Sequence, residues 1–287
     1  MKARRPFVLA LGVAIAVLVL FALRKNPGGC AMPAPETIAF DGLDAGPRAT
    51  PRPSAGCGKP AETQAVMTVD GQQRLLVPVL PAHYDPNRPY PLVLVFHGNG
   101  NNAPTMQAEL ALETAYGDGA IAIYPQAVMR RVWGDHVAPH WGRTEDLPFF
   151  DALVAFAKRS MCVDEGRIFV VGWSSGGYFA NQLACVRPDV VRAFVALAGG
   201  GPEQATCAKA VPGLIHHDRD DPAVMVTEGR ASRDHWKARN GCEGSHDEGG
   251  CAIHDGCAAP LVYCETSTRR HSPLPARDAA WRFLASF

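Results

Sequence analysis

The chain has 287 residues, 47% of them hydrophobic, and its 28 basic and 28 acidic side chains leave a formal net charge of +0. That length and apolar content suffice for one large α/β domain, and the neutral balance excludes the basic footprint that nucleic-acid binding needs. Nine cysteines are many for a reducing compartment and point to an oxidising one. Their odd number leaves at least one unpaired or outside the folded domain.

At the N-terminus, Lys2, Arg4 and Arg5 precede an apolar run over 7–23, which Arg24 and Lys25 close. A basic start followed by an apolar run is an export pattern. The run is at the short end of the ~17–25 residues that a spanning helix needs. Residues 1–25 are therefore read as a signal peptide or an N-terminal membrane anchor. Gly29-Cys30-Ala31 offers small residues for cleavage, the basic pair favours an anchor, and a lipid-modified Cys30 fits less well. Each reading exports the domain to the periplasm or medium, free or tethered through residues 7–23. Residues 26–56 are rich in Pro, Gly and Ala and read as a linker. The folded domain is expected over 57–287.

Within it, a strand is expected at 75–80, with Pro78 marking an edge position. A continuous apolar strand at 91–98 follows, then polar Asn99-Gly100-Asn101-Asn102, a helix over 105–116 and a strand at 120–125. Residues 126–147 form a long connection with Trp133, His136, His140 and Trp141, and loops of that length tend to be functional. Next come a helix at 148–160, a strand at 168–171, Gly172-Trp173-Ser174-Ser175-Gly176, and a helix. Further strands are expected at 192–198 and 211–217, then a helix at 226–238, a Cys/Gly/His-rich segment at 241–257, a strand at 261–264 and a helix at 276–286. Strands alternating with helices, most of the strands being apolar throughout, predict an α/β fold: a mostly parallel sheet with helices on both faces. In such sheets the ligand site lies at the carboxyl ends of the strands.

A strand, a tight G-x-S-x-G turn and a helix form the context of a nucleophile elbow, which makes Ser174 the candidate nucleophile. A serine nucleophile needs a base, and the base an orienting acid, in the chain order serine, acid, histidine. Asp221 is the preferred acid, because the turn Asp221-Pro222-Ala223-Val224 would aim its carboxylate and bury Val224. Asp220 is the runner-up, and Asp218 and Asp220 read as solvated turn residues. Among His235, His246, His254 and His271, only His271 falls in the loop between the last strand and the last helix, over the sheet edge. His246 and His254 lie in the cysteine-rich segment without regular metal-ligand spacing, and exported cysteines more often form disulfides, so neither a metal nor a cofactor is expected. Backbone N–H groups of Ser175 and Asn99 would form an oxyanion hole. Trp133, His140 and Trp141 either line the substrate site or pack the long loop.

These residues bring a family into view. The stretch from Cys57 to the end resembles the polyhydroxybutyrate depolymerase, feruloyl esterase and acetylxylan esterase group, which are carbohydrate esterase family 1-like α/β-hydrolases. The resemblance rests on Gly56-Cys57-Gly58-Lys59, Phe96-His97-Gly98, Met161-Cys162-Val163-Asp164, Gly172-Trp173-Ser174-Ser175-Gly176-Gly177, Arg233-Asp234-His235-Trp236 and Tyr263-Cys264 through His271. It implies Ser174, Asp221 and His271 as the triad, Asn99 and Ser175 as oxyanion donors, and a Cys57–Cys162 bridge. The chain departs from the family in having His217-Asp218 where His-Gly is usual, and Arg270-His271-Ser272-Pro273 where glycine precedes the histidine. The elbow also resembles that of prolyl oligopeptidase-type peptidases. The expectation is an exported serine esterase acting on feruloyl- or acetyl-sugar esters or hydroxybutyrate esters, with oligomeric state left open. The alternatives are a non-catalytic disulfide-stapled binding domain and a peptidase or thioesterase on the same fold.

Overall fold

A computed structural model of the chain describes residues 38–43 and 49–287. The apolar run at 7–23, the proposed cleavage region and Cys30 lie outside the described residues. Among those described, no helix is long and apolar enough to cross a membrane.

The elements in chain order are β1 (Val66–Val69), β2 (Gln72–Val79), β3 (Tyr90–Phe96), α1 (Ala103–Leu110), α2 (Glu113–Tyr116), β4 (Ile121–Pro125), β5 (Met129–Trp133), β6 (His136–Pro139) and α3 (Leu147–Ser160). There follow β7 (Val163–Trp173), α4 (Ser175–Val186), β8 (Ala193–Leu197), β9 (Gly213–Asp218), α5 (Val226–Asn240), β10 (Gly244–Glu248), β11 (Cys251–Asp255), β12 (Leu261–Thr266) and α6 (Arg277–Leu284). One ten-stranded sheet runs β1-β2-β4-β3-β7-β8-β9-β12-β11-β10. The strands β4-β3-β7-β8-β9-β12 are parallel, and antiparallel pairs extend both edges.

The continuous apolar strands are covered on both faces, as their pattern requires. In β3, Leu92, Leu94 and Phe96 join one core with Phe150 and Leu153 of α3 and Phe179 and Leu183 of α4. Val93 and Val95 face the other core with Met106 of α1 and Phe283 of α6. The alternation follows from the period-2 geometry of a strand.

The structure corrects several expectations. The helix expected over 105–116 is two, because Ala111 takes a left-handed conformation (φ 43°) that ends α1. Its start is fixed by Asn102, whose side chain accepts from Thr105 N at 2.8 Å. The connection at 126–147 contains the β5–β6 hairpin, and the cysteine-rich segment contains β10 and β11. Both hairpins are polar and short, so alternation was too weak to read. Pro78 sits in β2 beyond the residues that pair with β1, on the open side of the ladder, where a missing N–H costs nothing. The expected linker is not a tether throughout: Ile38 and Phe40 are buried, and Ala39 N donates to Gly249 O. Further on, Ser54 Oγ donates to Met161 O.

Among the described residues, four disulfides link Cys57–Cys162, Cys185–Cys207, Cys242–Cys257 and Cys251–Cys264. The first is the bridge that the family resemblance implied.

Candidate active site

Backbone crowding explains the sequence of the elbow. Ser174 connects β7 to α4 with φ 55° and ψ −120°, a conformation L-residues rarely hold outside functional turns. A Cβ on Gly172 would lie 1.9 Å from Gly176 O, and one on Gly176 would lie 2.1 Å from Phe96 O. Only glycine lets the chain pass at both points. Ser174 N donates to Leu197 O at 2.9 Å, which pins the turn to β8. The first N–H groups of α4, Ser175 among them, have no intrahelical partner.

Ser174 opens onto a cleft of about 200 Å³ lined by Asn99, His140, Trp141, Arg143, Ser175, Tyr178 and Val224. The structure thus brings together the candidate nucleophile, both candidate oxyanion residues and two of the three candidate substrate residues. Asn99 follows Gly98, where a Cβ would meet the Trp173 ring at 2.8 Å and Ser174 Cβ at 3.1 Å. Glycine there allows the two loops to close.

The candidate acid and base meet each other. His271 Nδ1 donates to Asp221 Oδ2 at 2.7 Å. Asp221 Oδ1 accepts from Ala223 N at 2.8 Å and Val224 N at 2.9 Å, so the expected turn does aim the carboxylate. Its side chain is fully buried, whereas that of His271 is 16% exposed. A carboxylate can only accept, so Nδ1 carries the proton and Nε2 is left as a base. The His271 ring lies 5.0 Å from the ring of Trp173, the residue before Ser174. Val224 is half-buried and forms part of the cleft wall.

The runner-up acid, Asp220, is exposed and lies 3.7 Å from Arg269. Asp218 departs from expectation: it is 2% exposed rather than solvated. The other histidines have separate places. His235 Nε2 lies 3.1 Å from Cys207 Sγ, His246 faces Asp255 on an exposed hairpin, and His254 is buried in β11. His235, Cys185 and Cys207 cluster, but the two sulfurs are bonded to each other and offer no thiolate to a metal. His97 is fully buried; its Nε2 accepts from Ala127 N and its Nδ1 donates to Gly98 O. Burial pulls its pKa down to about 4, so it stays neutral and holds the loop before Asn99.

Trp141 belongs chiefly to the core. It is 1% exposed, stacks on Phe179 with ring centres 5.4 Å apart and donates to His97 O. Only part of it reaches the cleft. His140 is half-buried, and burial followed by the nearby Arg130 and Arg143 lowers its pKa. The side chain of Trp133 lies outside the described residues. Sequence reasoning missed Arg143 and Tyr178: the guanidinium lies 4.4 Å over the Tyr178 ring, and Tyr178 Oη donates to Glu228. Both looked like ordinary loop and helix-face residues, because their meeting is a tertiary event.

The family model of the prolyl oligopeptidase family matches residues 128–201, which hold the β5–β6 hairpin, the elbow and α4. Feruloyl esterase D of Neurospora crassa is 29% identical over 68% of this chain and 71% of its own. Feruloyl esterase C of Emericella nidulans is 28% identical over 80% of this chain and 90% of its own. Among solved structures, an acetyl xylan esterase from Aspergillus awamori superposes with TM-score 0.58 at 13% identity, covering 75% of this chain and 94% of that one. A thermostable esterase gives TM-score 0.55 at 18% identity over 76% of this chain, which spans 61% of that longer protein. The fold is that of the α/β-hydrolases. The chain is a carboxylic ester hydrolase, similar in sequence to the feruloyl esterases.

Proposed function

We propose that the chain is an exported serine esterase with Ser174 as nucleophile, His271 as base and Asp221 as the acid that orients it. The observation that carries this reading is the Asp221–His271 pair at 2.7 Å, with the carboxylate side chain buried and the His271 ring against Trp173 of the elbow that presents Ser174 to the cleft. In the reaction, Ser174 Oγ attacks the ester carbonyl and passes its proton to His271 Nε2. The N–H groups of Ser175 and Asn99 hold the oxyanion. His271 returns the proton to the leaving alcohol, and a water then cleaves the acyl-enzyme by the same route.

An aromatic acyl group is the best-supported substrate. Tyr178, Val224 and part of Trp141 offer apolar faces, while Arg143 and His140 offer polar groups for ring oxygens. The similarity to feruloyl esterases points the same way. Acetyl-sugar and hydroxybutyrate esters are the competing substrates. Four disulfides fit an oxidising compartment, and the apolar run at 7–23 supplies the export signal or membrane tether.

The test is hydrolysis of p-nitrophenyl acetate by the oxidised domain and by Ser174→Ala, followed by a panel of methyl ferulate, acetylated xylan and hydroxybutyrate oligomers. Loss of a triad nucleophile costs on the order of 10⁶ in kcat. Equal rates for both proteins would reject the reading.

A further inference from the structure

Asp218 is 2% exposed and carries a carboxylate, yet it is not among the residues that line the cleft. It stands opposite Thr266 on the last rung of the parallel ladder between β9 and β12. Beyond that rung the two strands lead into separate loops, one bearing Asp221 and the other His271. The last backbone bond between them is Arg219 N donating to Thr266 O at 2.8 Å, and beyond it side chains must keep the loops in step.

The Asp218 carboxylate supplies that tie. Its Oδ2 accepts from Thr266 Oγ1 at 2.9 Å, Thr268 Oγ1 at 2.7 Å and Thr268 N at 2.5 Å. Its Oδ1 accepts from Arg269 N and Asp220 N, each at 3.1 Å. Four of these donors lie on the path to His271 and one on the path to Asp221. Arg269 has φ 58°, a left-handed conformation that a non-glycine residue keeps only when its surroundings hold it. Burial works against charge on this carboxyl, but hydrogen bonds from Thr268 and Thr266 outweigh it and leave the pKa below the ordinary value. The group is therefore an ionised acceptor for all five donors.

We infer that Asp218 is a positioning residue for the triad: by tying Thr266, Thr268 and Arg269 to the end of β9, it sets the approach of His271 Nδ1 to Asp221 Oδ2. The inference rests on the triad reading above. Asp218 acts through that pair and touches no reacting atom.

The test is a double-mutant cycle on p-nitrophenyl acetate hydrolysis, using Asp218→Asn, Thr268→Val, Asp221→Asn, the two doubles with Asp221→Asn, and Ser174→Ala. Rates are taken per folded molecule, the folded fraction being read from near-ultraviolet circular dichroism. Misplacement of catalytic groups by about 1 Å costs roughly 10²-fold, so Asp218→Asn is expected to lower kcat by about 10- to 100-fold, with KM within about twofold. Thr268→Val lowers it in the same direction by less. In the Asp221→Asn background both losses shrink to about twofold or less, because the pair they act through is already broken. An Asp218→Asn kcat equal to wild type, or an equal factor lost in both backgrounds, would overturn the inference. Thr268→Val carries the same cycle if Asp218→Asn does not fold. A Ser174→Ala protein at the wild-type rate would overturn the triad reading and this inference together. An inactive Ser174→Ala with equal factors would overturn this inference alone.

Discussion

His271 Nδ1 lies 2.7 Å from Asp221 Oδ2, across 50 residues of sequence, with the carboxylate side chain fully buried and that of the histidine 16% exposed. The arrangement follows from the parallel pairing of β9 with β12, which delivers both following loops to the carboxyl end of the sheet.

Two aspartates compete for the role of acid. Asp221→Asn leaves the turn in place but presents an amide to Nδ1, favouring the wrong tautomer. The expected loss in kcat is about 10³- to 10⁴-fold. Asp220→Asn, on an exposed side chain, should stay within about twofold of wild type. Steady-state kinetics on both variants decide between the two acids, and the opposite ranking would assign the role to Asp220.

Glycines at the elbow should separate activity from stability. At Gly176 a Cβ meets backbone, Phe96 O at 2.1 Å, so Gly176→Ala should destabilise by about 3 kcal/mol. At Gly98 the nearest atoms belong to the Trp173 ring, with Ser174 Cβ 3.1 Å away. Gly98→Ala should therefore lower kcat about tenfold or more through displaced catalytic groups while costing less stability than Gly176→Ala. Denaturant unfolding and kinetics on the two variants test the contrast.

Acid should weaken the fold through its buried histidines. Burial lowers the pKa of His97 and His216 to about 4. A histidine depressed in the folded state adds stability above its unfolded pKa of about 6.5, and that stability fades as pH falls towards 4. Between those values each group contributes a slope on the order of 1.4 kcal/mol per pH unit. His216→Gln should flatten the fall in unfolding free energy between pH 6.5 and 4, measured by urea titration. An unchanged slope would mean His216 takes up no proton on unfolding.

Among the disulfides, the Cys57–Cys162 bridge closes the longest loop, 105 residues against 13 for Cys251–Cys264. In the loop-entropy account the long bridge is worth about 4–5 kcal/mol and the short one about 3. Replacing each pair by serine and measuring thermal unfolding should reproduce that order.

Arg143 offers a test of substrate choice. Its side chain is 29% exposed and its guanidinium is loosely held, 3.5 Å from Gly201 O and 3.8 Å from Glu203. Arg143→Ala should raise KM for methyl ferulate about tenfold, the loss of one charge-assisted hydrogen bond, with p-nitrophenyl acetate little affected. Equal changes on both esters would place Arg143 outside acyl recognition.

Much of this protein is decided locally. Apolar runs of strand length, helices between them and a glycine-flanked serine specify the α/β order and the elbow, because each depends only on neighbouring residues. The turn at Asp221 was legible for the same reason: its carboxylate bonds the amides of residues two and three further on. Other features arise only when distant segments meet. Asp218 resembled its solvated neighbours until β12 came alongside and brought Thr266 and Thr268 to it. Trp141 read as either a site residue or a packing residue, and the balance was set only when Phe96 and Phe179 enclosed most of it and left part at the cleft. The packing of Ile38 and Phe40 onto the domain, and the union of Arg143 with Tyr178 in the cleft, have no local signature, because burial and pairing across the sheet are properties of the assembled fold.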